Sequence, residues 1–368
     1  MYYKIMPIDT LFFRGGMPFD AGVNFHTESL FPPYPSAYAG ALRRGEKMAA
    51  RSIKIGWNGM MIKDQPIFPR PLDMNFMDEE KLQKMELHPK PLGNQQLPYV
   101  LAPKEVSLGK KIVKNSGQDM YITQDDLMRY LFDQEAPSIS TFNLDKYVVK
   151  EPHIGIAIDP ETQTTIDGQW YAQEKIRLQS TIQLAVEAEG ELSSEEGIIK
   201  LGGANKVASI QPLQQSFPIM EQKIEDESRY FKLYLSTPAI FKQGWLPRWI
   251  DLETMEGSFS FRKRKVKIKL MSAAIGKPFP IGGFETVKNR PKVLHLAVPA
   301  GSVYFFEIIE GTLKDVIHLM HRKNMSDYRE TLGFDYPWYT RTTYCDRGFG
   351  YSFVGRVTRE QGGVWADV

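Results

Sequence analysis

The sequence predicts an α+β protein in which the order strand, helix, strand, strand, helix, strand occurs twice. Three observations carry this. Short alternating or β-branched runs, such as Tyr2 to Ile8, Tyr230 to Leu235 and Ser302 to Ile309, have the period of strands. Apolar residues at helical spacing separate some of them, as in Thr312 to Arg322, where Leu313, Val316, Ile317 and Met320 share one face. With 368 residues, the chain has room for two domains.

The elements follow in order. Tyr2 to Ile8 is the first strand, and a second apolar run ends at Leu11-Phe12-Phe13. Arg14 follows, and Gly15-Gly16 lets the backbone turn where side chains would block it. Pro35-Ser36 suits a helix start, proline at the first position and serine as cap, so a helix is expected from about Ser36 to Arg51, carrying Arg43 and Arg44. A strand, a glycine turn and a helix start with small residues form a place where a phosphate backbone can approach the protein backbone. The plainer alternative is a buried strand packed on a helix.

Residues 57–150 are broken by Pro66, Pro69, Pro71, Pro89, Pro91, Pro98 and Pro103, and read as a long insertion with short elements. One helix is expected there, capped by Thr123. Beyond it, the strand Ile154 to Ile158 meets a turn at Asp159-Pro160, with a second turn signal at Asp167-Gly168. Tyr171 to Leu178 and Thr181 to Val186 read as paired strands, Ser193 to Glu196 as a short helix, and Gly202-Gly203 as a glycine loop entering the strand Val207 to Ile210.

With the insertion set aside, the first half is βαββαβ, the ferredoxin-like pattern shared with RNA-recognition domains. The second half repeats it more loosely, through Val266 to Ala273, Val293 to Val298, Ser302 to Ile309, the Thr312 helix and Tyr351 to Val357. The expected domains are 1–222, with the insertion at about 57–150, and 223–368.

Composition narrows the function classes. The chain is 42% hydrophobic and 24% charged, ordinary for a globular protein. It has no apolar run long enough for a membrane span, no signal-peptide pattern and a single cysteine, Cys345; a cytoplasmic setting without disulfides or membrane association is expected. Net charge is only +2, but it is unevenly spread. Basic residues cluster at Arg262 to Lys269, at Arg43 to Lys54 and at Lys110 to Lys114, as expected for a subunit binding RNA on one face and proteins on others. A solvated surface is the alternative for any one cluster.

Catalytic and metal motifs are weak. His318, His321 and Asp315 share a helix, yet no further strong ligand follows in sequence, so no metal is expected. Gly348 to Gly355 lacks dinucleotide spacing and leads into a strand, which excludes that use. The glycines Gly348 and Gly350, flanking Phe349, would instead present amides beside Arg347 and Arg356. No cofactor is expected. His26 and His153 are the candidate bases for a metal-independent ribonuclease, although nothing nearby supplies a matched acid. Aromatics beside cations, as at Phe12-Phe13-Arg14, Phe259 to Arg262 and Arg347 to Tyr351, suit base stacking with phosphate tracking; buried strand aromatics give the same pattern.

The segments LFFRGGMPFDAG, SLFPPYPSAYAGALRR, PHIGIAIDPETQTTIDGQWY, LGGANKVA, LYLSTPAIFKQGWLP, AAIGKPFPIGGF, VPAGSVYFFE and GFGYSFVGR occur in this order. Together they resemble the RAMP-superfamily handle-binding subunit of the type III-B CRISPR (Cmr) effector complex, over nearly the whole chain except 57–150. The resemblance implies two ferredoxin-like domains and a non-catalytic RNA-binding subunit that grips the five-prime handle of the CRISPR RNA (crRNA). It implies docking on the large polymerase-like subunit and on a RAMP backbone subunit. The chain departs from the family at Gly15-Gly16-Met17, where an acidic and a basic side chain are missing and backbone contacts remain.

The residues matched to the family are Arg14, Arg43, Gly202, Gly203, Gly282, Gly283, Gly348, Phe349 and Gly350. Gly15, Gly16, Ser36, Arg44, His153, Lys206, Arg262, Arg264 and Arg347 complete the expected RNA-binding set. The rival reading is a metal-independent CRISPR repeat endoribonuclease of the same superfamily with His26 as general base.

Overall fold

The computed structural model describes residues 1–15, 26–42, 53–76, 82–89, 97–102, 120–132, 139–190, 192, 196–215, 217–221, 227–261, 264–285, 290–327 and 344–357. These form an α+β protein dominated by two large antiparallel sheets.

In the first sheet, the central strand Tyr2–Pro7 is flanked by Ile182–Glu189 and Val207–Leu213, and Lys54–Ile62 lies outside Ile182–Glu189. Numbered along the chain, these four run 2-3-1-4 across the sheet. Gln65–Pro69, Met120–Thr123 and Phe142–Asn143 extend one edge and Gly197–Lys200 the other. Alternation makes this possible. Tyr3 and Ile5 point into the core, as do Leu184 and Val186 on the neighbouring strand, while Lys4 stays partly exposed. The helix Pro35–Leu42 packs Tyr38, Ala39 and Ala41 on the same core.

The second sheet repeats the order. Arg264–Ala274, Val303–Glu310, Tyr230–Leu235 and Tyr351–Arg356 again run 2-3-1-4, with Glu256–Phe261 and Lys323–Asn324 at the edges. The helix Leu313–Met320 covers it, burying Leu313, Val316, Leu319 and Met320. Its start is a full capping box, in which Thr312 Oγ1 accepts from Asp315 N and the Asp315 carboxylate from Thr312 N.

The second half departs from the expected pattern at one crossover. Residues 236–255 connect the first two strands of the second sheet through turns and isolated bridges, without a helix. In the first half, the helix expected at Ser193 to Glu196 falls almost wholly outside the described residues.

Two further readings change. The first half's second strand, Lys54–Ile62, lies within what reads as an insertion, and the stretch adds three strands to the main sheet beyond it, together with two small two-stranded ribbons. Gln65–Pro69 is paired on both flanks, but Pro66 is registered only with Met61 and Pro69 only with Tyr121, so each proline sits at a strand end where one flank needs no ladder donor. The helix capped by Thr123 forms as expected, over Gln124–Phe132, with Asp126 N donating to Thr123 Oγ1 at 3.2 Å.

Thr165–Leu178 pairs not with Ile182–Glu189 but with Val148–Ile158, in a long hairpin closed by the Asp159 turn. Gly168 lies within its second strand. Alternation reveals strands but not their partners. Along the hairpin, Ile154, Ile156, Ile158 and Trp170 are exposed.

A shared core joins the two sheets. Trp57, Phe68, Leu127, Tyr130 and Leu131 from the first half meet Tyr234, Met271, Phe305, Tyr351 and Phe353 from the second. At roughly 1.5–3 kcal/mol for each fully buried large side chain, this seam stabilises both halves as one body.

A polar cluster closes one end of the seam. Glu187 accepts from Trp57 N at 3.2 Å, Tyr351 OH at 3.0 Å, Arg322 Nη2 at 3.2 Å and Tyr2 OH at 3.3 Å. Deeper in, Lys232 has no solvent exposure; its Nζ donates to Tyr130 O at 2.6 Å, and Tyr130 OH donates to the buried Asp73 carboxylate at 2.8 Å.

Candidate nucleic-acid interface

The segment leaving the first strand is held from three sides. Leu11 N donates to Ile176 O at 2.7 Å and Ile176 N to Leu11 O at 2.8 Å, tying it to the hairpin base. Phe13 N donates to Ser29 Oγ at 2.9 Å and Leu30 N to Phe13 O at 2.9 Å. Gly203 N donates to Phe12 O at 2.7 Å. Leu11, Phe12 and Phe13 are buried as a result, and Arg14 emerges exposed from a fixed point. Gly15 follows against Leu30.

The glycine loop explains its own composition. Gly202 has φ +82°, and a Cβ there would lie 2.5 Å from Phe12 O. Only glycine allows both the left-handed conformation and this approach. The sequence-predicted Arg14–Gly15 and Gly202–Lys206 segments, nearly two hundred residues apart, thus form one surface.

A chain of charges braces it. Lys206 Nζ donates to Asp9 Oδ2 at 2.7 Å, Arg177 Nη2 to Asp9 Oδ1 at 3.2 Å, and Arg177 Nε and Nη2 grip Glu151, the latter at 3.1 Å. The Lys206 hydrogen bond, with help from Thr10 N, holds the Asp9 carboxyl well below the usual carboxylate range. The Arg177 hydrogen bond likewise lowers Glu151. Burial, then the nearby Lys206, lowers Lys175. Lys206 therefore serves first as an anchor between the glycine loop and the first strand.

His153 and His26 flank one strand of the hairpin, opposite successive residues, so they face opposite sides of the sheet. His153 pairs with Gln173 and His26 with Ala172, on opposite edges of one strand. Both are exposed, and His26 Nε2 lies 3.9 Å from Glu28 Oε1.

The other expected residues lie elsewhere. Ser36 is in the first turn of the Pro35–Leu42 helix. Arg264 Nη1 donates to Asp315 Oδ1 at 2.8 Å, joining the Leu313 helix cap. On the same basic strand Lys267 meets Glu256 at 2.8 Å, and Lys269 lies opposite Glu307 and Glu256, so neighbouring carboxylates offset much of the expected basic face. Gly282 and Gly283 follow the ribbon strand Phe279–Ile281, which pairs with His295–Ala297.

The segment Arg347 to Gly350 stitches the halves together. Arg347 pairs beside Ile55, and its guanidinium lies 5.9 Å from the Tyr344 ring centre. Gly348 O accepts from Thr237 Oγ1 at 2.8 Å and Asn58 Nδ2 at 3.2 Å, and Gly350 N donates to Pro238 O at 2.8 Å. Phe349 is 0% exposed and packs edge-on to Tyr344, so as placed it offers no face to a base. Gly16, Arg43, Arg44 and Arg262 lie outside the described residues.

Among the described residues, no group of His, Cys, Asp or Glu is arranged to hold a metal. Asp315 is committed to its cap. His321 accepts from Val354 N at Nδ1, and burial followed by the charge of Arg322 pushes its pKa down to about 4. No described helix is long and apolar enough to cross a membrane.

The sequence reading missed Arg177, Lys175 and Ser29 at this face. Arg177 and Lys175 belong to the run Gln173-Glu174-Lys175-Ile176-Arg177, whose cation alternation is a strand signal that points to one face.

The family model described as CRISPR-associated protein (Cas_Cmr3) matches residues 3–340. No curated protein matches the chain. Matching solved structures include a type III-B Cmr-beta complex bound to cognate target RNA and AMPPnP, at 17% identity. A second is the same complex bound to cognate target RNA alone, at 16% identity. Each match covers 83% of this chain and 86% of the other, with TM-score 0.49. The Csm3-Csm4 subcomplex of a type III-A CRISPR-Cas interference complex matches at 13% identity, over 84% of this chain and 93% of the other, with TM-score 0.34. With the family model spanning residues 3–340, the chain belongs to the Cas_Cmr3 family and is a subunit of the type III-B CRISPR Cmr complex.

Proposed function

We propose that this subunit is a non-catalytic RNA-binding protein that caps the five-prime handle of the crRNA and docks the large polymerase-like subunit onto the RAMP backbone. In this reading the chain comprises two ferredoxin-like domains, 1–222 and 223–368, the second with one crossover lacking its helix. The handle lies across the seam between them.

The observation that carries the reading is the convergence of Arg14–Gly15 with the Gly202–Lys206 loop on one exposed face. Such a surface suits a single strand tracked by cations and backbone amides. Arg43 and Arg44, two residues beyond the described helix, extend the same tract in the sequence. The exposed apolar hairpin offers a surface to partner subunits.

The test is handle-RNA binding by the assembled complex at graded salt. Arg14→Ala lowers affinity and flattens the salt dependence by about one phosphate contact. Unchanged affinity and slope overturn the assignment. Incubating the purified chain with repeat RNA in the absence of metal separates the rival: site-specific cleavage lost in His26→Ala establishes the ribonuclease instead.

A further inference from the structure

A hollow of about 360 Å³ opens in the seam between the two sheets, within the size range of small-ligand sites. Its walls are largely aromatic and proline, with Phe31, Tyr34, Tyr121 and Phe279 prominent. Tyr34 stacks on Phe279 with ring centres 5.8 Å apart, and its OH donates to Pro280 O at 3.2 Å, which fixes that wall across the two halves.

The charged groups are few and of one sign. Arg70 and Lys277 line the hollow, and among its described lining residues there is no Asp or Glu. Arg70 is buried and donates to Met74 O, whereas Lys277 is exposed at the rim.

Asn58 is 5% exposed on the same wall. Its Nδ2 donates to two carbonyls, Gly56 O at 3.1 Å and Gly348 O at 3.2 Å. These acceptors fix the amide orientation, and among the described residues no donor reaches Oδ1. The site therefore combines flat aromatic walls, a cation at the mouth and one oriented acceptor. A ligand that is both aromatic and anionic, with a donor on its aromatic edge, matches all three. A nucleotide whose base carries an exocyclic amino group has that chemistry.

Position supports the same occupant. Leu30 lines the hollow and is bonded to Phe13, one residue before the exposed Arg14. The hollow and the Arg14 face therefore share one hydrogen-bonded segment. We propose that the seam hollow takes one unstacked nucleotide of the bound RNA, with its base along the Phe31–Tyr34 wall, its amino edge toward Asn58 and its phosphate at Lys277. This rests on the RNA-binding reading above and adds a site and a base preference to it.

The test uses two variants at half-buried or exposed positions, Ala300→Trp, which fills the hollow from its rim, and Lys277→Ala. Thermal midpoints check that both fold. Handle RNA carrying 2-aminopurine at one position at a time is titrated with the full chain and with the assembled complex. One position is quenched by the aromatic wall, and Ala300→Trp removes that quench and weakens binding about tenfold. Lys277→Ala lowers the salt slope by about one. At the quenched position, unsubstituted purine, which has no donor on that edge, binds about tenfold more weakly than adenine, the worth of one hydrogen bond to Asn58. If RNA binds tightly but no position is quenched, or both variants bind like wild type, the pocket is refuted while the RNA-binding reading stands. If neither chain nor complex binds RNA, both fall.

Discussion

Gly202→Ala tests the convergence that builds the RNA face. At φ +82° an alanine carries the left-handed penalty of roughly 1–2 kcal/mol. Its Cβ would also lie 2.5 Å from Phe12 O, a backbone atom held by Gly203 N, so the loop must move and that hydrogen bond, worth about 1 kcal/mol, is lost. The expected destabilisation is about 2–3 kcal/mol. Gly168 provides the control: φ is +70°, but nothing lies within 4 Å of its Cβ position, so Gly168→Ala carries the conformational penalty alone, about 1 kcal/mol. Denaturant midpoints of both variants and handle-RNA affinities read out the difference. Gly202→Ala shifts the midpoint further and weakens RNA binding by displacing Arg14, whereas Gly168→Ala leaves affinity unchanged. Equal midpoint shifts with equal affinities refute the close packing of the glycine loop on Phe12.

Other predictions concern the seam. Glu187→Ala removes the acceptor shared by four donors from both halves and destabilises by about 2–3 kcal/mol, reduced from a fully buried case because Arg322 reaches water and still donates to Tyr2 OH; urea unfolding of Glu187→Ala against wild type measures it. His321 has a folded pKa of about 4 against about 6.5 unfolded. The unfolded chain binds the extra proton first, so this stabilisation is complete above pH 6.5 and falls by about 2 kcal/mol by pH 5. His321→Asn removes that part of the pH dependence, seen by comparing midpoints at pH 7.5 and 5. Burial, with Lys84 beside it, holds Lys232 well below the usual lysine range, so stability rises with pH toward the unfolded value near 10.4. Lys232→Met removes that rise and stabilises the protein at pH 7 by about 1 kcal/mol or more, read from midpoints at pH 7 and 9.

Much of the strand and helix content was legible locally. The apolar spacing from Leu313 to Met320 announced its helix, Thr123 announced Gln124–Phe132 as its cap, and strand-like runs marked Tyr230–Leu235 and Val303–Glu310. Pairing was not legible, because a strand's period identifies its buried face and not its neighbour; Thr165–Leu178 therefore reads as a partner of Ile182–Glu189 although it forms a separate hairpin. Pro66 and Pro69 read as breakers, yet each has a ladder partner on one side only, Pro66 with Met61 and Pro69 with Tyr121, so a missing N–H is tolerated at these strand ends. At the site, the glycines at Gly202 pointed to a close backbone approach, which is with Phe12. Arg264 and Lys267 read as free cations because their carboxylate partners, Asp315 and Glu256, come from other elements. Phe349 resembles a stacking platform in sequence, and long-range packing against Tyr344 encloses it.

The most direct measurement is RNA–protein crosslinking in the assembled type III-B particle, with photoreactive nucleotides placed through the crRNA handle and the sites mapped by mass spectrometry. The account predicts crosslinks from handle positions to the Arg14–Gly15 segment and the Gly202–Lys206 loop, diminished by Arg14→Ala. Handle crosslinks that fall entirely on other subunits, with none on this chain, contradict it.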